Sequence, residues 1–161
     1  MSDAIFVREG VVDDFPELMR LAMDATIENA FVAPDEMMLS QHMYAALIKN
    51  MGVAGVIGGG PGEKLEGAIV LRIGPVWYSP EPILEEKAIY VAPEFRAAKG
   101  GRARKLAEWA KVVSENLGIP LAIGVLSNSR TEAKIRLYER VFGAPAGVYF
   151  LYNAKTGLNK G

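Results

Sequence analysis

The residues best placed to do chemistry together lie between Ile89 and Leu106, where the chain reads IYVAPEFRAAKGGRARKL. Five cations, Arg96, Lys99, Arg102, Arg104 and Lys105, fall within ten residues of a chain whose net charge is only -1. A β-prone run precedes them and a helix-prone run follows. Small residues and the pair Gly100-Gly101 at such a junction let backbone N–H groups come close to a ligand, and the helix start adds positive charge. That combination suits a pyrophosphate, although a basic run is also the composition of a solvated helix face. A second glycine-rich stretch, Gly58 to Lys64, lacks both the Lys-Ser/Thr pair and the following helix of a phosphate loop, and reads as a hairpin turn.

Other reactive residue types are scarce. His42 is the single histidine and there is no cysteine. No Ser–His–Asp triad, thiolate nucleophile, disulfide or zinc site is therefore expected, and no metal. The near-neutral charge argues against a dedicated nucleic-acid binder. No stretch reaches the length of an apolar membrane span, and the start MSDAIFVREG does not read as a signal peptide, so the expected location is cytoplasmic.

The elements that must position the basic loop can be read from periodicity. A short strand is expected over Ala4 to Arg8. A helix capped by Asp13 or Asp14 should follow, carrying Phe15, Leu18, Met19 and Ala22 on one face. A second helix should run from Asp35 to Asn50. Val53 to Ile57 and Gly67 to Ile73 predict an antiparallel hairpin, and Glu86 to Val91 a further strand ended by Pro93. From Gly101 a helix with Leu106, Trp109, Ala110, Val113 and Leu117 on one face should run to Gly118. A strand over Ile119 to Leu126 comes next, then a helix opened by the capping box Ser129 to Glu132 and closed by Gly143. Gly147 to Tyr152 predicts a last strand. This order implies a single α/β (α+β) domain of 161 residues, with a mixed, mostly antiparallel sheet and helices on its faces.

The stretch from Val91 to Arg102 resembles the acyl-CoA-binding motif of the GNAT-type N-acetyltransferases, in which a valine leads to Arg/Gln-x-x-Gly-x-Gly/Ala. Val91, Arg96 and Gly101 match it here. The first glycine of the pattern is Lys99, with Gly100 beside it to take up a positive φ. The loop RAAKGGRA is similar in type to those of GNAT-like proteins from phages and prophages. The resemblance implies that acetyl-CoA is the cosubstrate, its pyrophosphate held by the backbone of Ala97, Ala98, Lys99, Gly100, Gly101 and Arg102. It also implies that backbone N–H groups near Val91 face the thioester. Leu137-Tyr138-Glu139-Arg140 is similar to the family's Leu-Tyr-Glu-Lys segment, so Tyr138 takes the place of the acid that protonates departing CoA. A phenol of pKa about 10 suits a thiolate of similar basicity. The same Tyr138 would also serve as a packing aromatic. The family's asparagine falls at Thr131, and Asn128 is the nearby substitute.

In relatives of this kind a carboxylate on the strand before the loop, or a water it holds, deprotonates the amine. Glu85 and Glu86 occupy that place. Alternation sends them to opposite faces, and with Lys87 they also read as a surface charge cluster. Met37, Met38, Met43, Trp77 and Tyr78 could line an acceptor pocket or pack in the core. Acidic residues Asp24, Glu28, Asp35 and Glu36 could draw a cationic acceptor or simply be solvated. The reading is transfer of acetyl to an unidentified primary amine, and the residues are also compatible with an inactive CoA-binding or protein-interaction module. Exposed strands would let two copies pair as a homodimer.

Overall fold

The structure is a computed structural model that describes residues 5–96, 101–127 and 130–154. Its elements are β1 (Arg8–Glu9), α1 (Phe15–Asn29), α2 (Glu36–Leu47), β2 (Gly52–Gly58), β3 (Leu65–Pro75), β4 (Pro82–Val91), α3 (Arg102–Leu117), β5 (Leu121–Ala122) and α4 (Thr131–Phe142), with 3-10 turns at Val12–Asp14 and Pro93–Phe95. The five strands lie side by side in chain order. All neighbours are antiparallel except β4 and β5, which the α3 crossover makes parallel. The expected mixed sheet is therefore the one observed.

Each sheet face buries a different set of side chains, as the period of two demands. On one face Ala54, Val56, Ala68 and Val70 meet Leu18 and Leu21 of α1 and Met43 and Leu47 of α2. On the other, Val53, Ile57, Ile69, Leu71 and Leu84 meet Leu106 and Ala110 of α3. Each fully buried leucine contributes about 2 kcal/mol by its removal from water. Gly55 is required by packing. A Cβ there would come within 2.6 Å of the Trp109 ring, which lies directly on the strand.

Several expectations need correction. The first strand forms at Arg8–Glu9, later than expected. Asp14 stands at the N-cap of α1, but its side chain makes no cap. It is fully buried and takes two 2.8 Å bonds from Arg8, one from the Val11 N–H at 2.9 Å and one from the Gly62 N–H at 3.2 Å. It ties the start of α1 to the β2–β3 turn. The residue at the cap of α4 is Arg130, in the left-handed region with φ of 56°; Ser129, the expected cap, lies outside the described residues. The strand expected over Ile119 to Leu126 contracts to Leu121–Ala122, and no strand forms over Gly147 to Tyr152. With β5 reduced to two residues, that edge has no ladder to extend.

Candidate active site

The site follows from how briefly β4 and β5 stay together. Leu84 pairs with Leu121 and Glu85 with Ala122, and the pairing ends there. On its other side β4 remains on β3 as far as Val91, with one irregularity: Leu71 faces Glu86 while Val70 faces Ala88. Lys87 is thus an extra residue, a bulge, and bulges bend and re-aim the strand that carries them. Beyond it the sheet splits. Glu86 to Ile89 form one wall of the opening and Ile123 to Ser127 another. Two cavities meet in this gap, of about 230 Å³ and about 710 Å³, and Ile89, Lys134 and Tyr138 line both.

The smaller cavity lies over Val91, Gly101, Arg102, Arg130 and Leu137. Gly101 caps α3 with φ of 58°, a conformation that glycine adopts without steric cost. The first bond inside the helix is from the Lys105 N–H to the Gly101 carbonyl at 3.0 Å. The N–H groups of Arg102, Ala103 and Arg104 therefore have no acceptor within the helix. Glycine supplies no capping side chain, and the first turn contains no acid. An anion fits here on both counts.

The nearby guanidinium groups are less available than the sequence suggests. Arg96 donates from Nε to the Val91 carbonyl at 2.8 Å and from an Nη to Glu28 at 2.7 Å, and sits 5.0 Å from the Tyr90 ring centre. Arg102 donates to Glu66 at 2.7 Å and lies 4.8 Å from the Phe95 ring centre, while its Nη1 is buried with no partner. Arg104 reaches Glu108. These three shape the loop's surroundings. Arg130 and Lys134 line the smaller cavity and make no ion pair among the described residues, and Arg130 opens α4 beside the start of α3.

The larger cavity holds the titratable pair. Glu85 is exposed and bound to Lys87 at 2.7 Å, which makes it a surface ion pair. Glu86 is partly buried and faces inward with Tyr138. Burial pushes its pKa up to about 7, with the charge of Glu85 adding to the rise and the Gly124 N–H and Lys87 opposing it. Burial, then the charge on Glu86, raises the Tyr138 phenol above its ordinary value, so it carries its proton at neutral pH. Lys134, one turn before Tyr138 on α4, is lowered by burial and by the charges of Arg96 and Arg130, against the pull of Glu28.

Of the residues expected at the site, Val91, Gly101, Arg102, Arg96, Glu86 and Tyr138 are brought together around the split, and Glu85 stands at its rim. Ala97, Ala98, Lys99, Gly100 and Asn128 lie outside the described residues. Of the residues considered for an acceptor pocket, Met38 lines the larger cavity, Met43 is in the core, and Met37, Trp77 and Tyr78 are exposed away from both cavities. Glu28 is on the smaller cavity, held by Arg96. Lys134 was not singled out by the sequence reading. Its spacing of i, i+4 from Tyr138 puts it on the same helix face and was the available signal.

Neither a protein-family model nor a curated protein matches this chain. Solved structures do. A possible acetyltransferase from Clostridium difficile 630 superposes with a TM-score of 0.66 at 18% identity, covering 96% of this chain and 99% of its own. AAC(6')-Iy in complex with the bisubstrate analogue CoA-S-monomethyl-acetylneamine gives 0.69 at 14% identity, covering 96% and 100%. The ribosomal-protein-alanine N-acetyltransferase from Brucella melitensis biovar Abortus 2308 gives 0.63 at 17%, also covering 96% and 100%. The GNAT-like fold implied by the motif is the fold observed. At these identities the likeness is one of fold.

Proposed function

We propose that this protein is an N-acetyltransferase that moves acetyl from acetyl-CoA directly to an amine. The observation that carries this reading is Tyr138, protonated and shared by two cavities, one at an uncapped helix start and the other containing Glu86. In this reading the CoA phosphates lie at the start of α3, near Arg130 and the loop of Ala97, Ala98, Lys99 and Gly100. The thioester lies along β4 near Val91. Support comes also from the shared fold, since the AAC(6')-Iy structure binds a CoA-based bisubstrate analogue.

The residues divide the work as follows. Glu86, with a pKa of about 7, takes a proton from the acceptor's ammonium and passes it to solvent. The neutral amine attacks the thioester carbonyl, forming a C–N bond and breaking the C–S bond. Tyr138 gives its proton to the leaving thiolate, and its phenolate regains one from the acylated nitrogen. The products are an N-acetyl amide and free CoA. The exposed apolar run Val148, Tyr149 and Phe150 supports pairing of two copies as a homodimer.

Replacing Tyr138 by Phe tests this. Turnover should fall by a factor of about 10²–10⁴ while acetyl-CoA binding persists. Unchanged turnover would remove Tyr138 from the chemistry. Acetyl-CoA binding in the parent without turnover of any amine would favour an inactive CoA-binding module.

A further inference from the structure

The larger cavity is walled by apolar side chains that folding alone does not bury. Phe31 and Val32, between α1 and α2, are 37% and 57% exposed, Met38 is 59% exposed and Leu126, on the facing wall, 46%. Large apolar side chains gathered around one concavity mark a surface that an apolar partner covers. The charges on the lining nearly balance. Among the described residues the lining carries three carboxylates, Asp35, Glu85 and Glu86, and two lysines, Lys87 and Lys134, and Glu85 is paired with Lys87 at 2.7 Å. Glu86, which takes the Gly124 N–H, and Asp35, whose Oδ1 takes the Met38 N–H at 3.0 Å, stand against Lys134, so the lining holds one net negative charge for an ammonium.

Of the two lysines on the lining, one is spent on Glu85 and the other opposes any second positive charge. Lys87 is on the rim, and Lys134 stands where the cavities join, with no ion pair among the described residues. A polycationic acceptor would bring several charges to a lining with one net negative charge and an apolar wall. Its further charges would be desolvated without partners, which is costly.

We infer that the acceptor is a monoamine with an apolar body, of the arylalkylamine kind, and that polyamines and aminoglycosides are poor substrates. Its nitrogen approaches Glu86 and Tyr138, and its body lies against Phe31, Val32, Met38 and Leu126. The inference rests on the acetyl-transfer reading above.

The test is steady-state acetyl transfer with 2-phenylethylamine, spermidine and kanamycin, alongside calorimetric titration with acetyl-CoA. The kcat/KM for 2-phenylethylamine should exceed the other two by about a hundredfold, because a second buried charge is rejected far more strongly than a change in apolar size. Met38→Glu adds a carboxylate at the third position of α2, where glutamate favours the helix start, so the fold should hold. It should lower the rate with 2-phenylethylamine, raise that with spermidine and narrow the ratio about tenfold. Met37→Glu, next to it but outside the cavity, should change neither. A preference for spermidine or kanamycin overturns the inference and leaves acetyl transfer standing, whereas acetyl-CoA binding with transfer to none of the three overturns the inference and favours the inactive CoA-binding module. Absence of acetyl-CoA binding overturns the acetyl-transfer reading and this inference with it.

Discussion

Asp14 and Glu86 are both carboxylates removed from bulk water, at opposite ends of the sheet's logic, and their pKa values move in opposite directions. At Asp14 burial favours the neutral acid, but the Arg8 guanidinium and the N–H groups of Val11 and Gly62 outweigh it, and the carboxyl lies below its usual range. At Glu86 the same penalty is met only by the Gly124 N–H and a more distant Lys87, and the carboxyl rises. Around Asp14 the chain closes on itself. Arg8 also binds the Gly59 carbonyl, and nearby Glu17 takes Arg20 and the Leu65 N–H. Around Glu86 the sheet is left split, and its groups keep capacity for something else. Fully partnered charge holds the fold, and under-partnered charge beside a cavity is available for chemistry.

Substitutions at these two sites separate the roles. Asp14→Ala strands the Arg8 guanidinium at the hairpin end and should cost about 3–5 kcal/mol in denaturant unfolding. The fraction that remains folded should still bind acetyl-CoA. Glu86→Gln should raise stability near neutral pH, where the buried carboxylate is costly and the amide is not, and lower kcat about a hundredfold. An equal loss of stability at the two sites would end the contrast.

The pH dependence should also differ in sign. Asp14 has a lowered folded pKa, so its contribution is present above the ordinary carboxylate range and is lost as the pH falls through that folded value. Glu86 has a raised one, so its contribution is present below the ordinary range and is lost as the pH rises through about 7. Thermal melts of the parent should therefore decline on both sides. Asp14→Ala should flatten the acid side and Glu86→Gln the decline between the ordinary carboxylate range and about pH 7. Turnover should rise through about pH 7 in the parent and lose that step in Glu86→Gln. The smallest effect is expected at Gly101→Val, where a branched residue at φ of 58° should cost about 1–2 kcal/mol of stability and weaken acetyl-CoA binding.

The sequence made the apolar framework legible because periodicity reports burial directly. Leu18, Leu106 and Ala110 lie in the core as their spacing implied, and the β2–β3 hairpin forms around its glycine turn. The basic stretch also announced a special helix start. What spacing could not reveal was partnership. Arg96 and Arg102 read as free cations, yet Glu28 and Glu66, far away in the chain, hold them. Glu85 and Glu86 were indistinguishable until the bulge at Lys87 and the parting of β4 from β5 sent one to the rim and one inward. Tyr149 and Phe150 have strand-like composition, but a strand needs a ladder, and the edge beside β5 supplies none to them.

The central claim, that the split between β4 and β5 receives acetyl-CoA across the start of α3, is tested most directly by calorimetric titration of the purified protein with acetyl-CoA. The account predicts one site in the micromolar range, weakened in Arg130→Glu, whose side chain has no ion pair among the described residues. No binding at millimolar ligand, or binding indifferent to both Arg130→Glu and Gly101→Val, would contradict it.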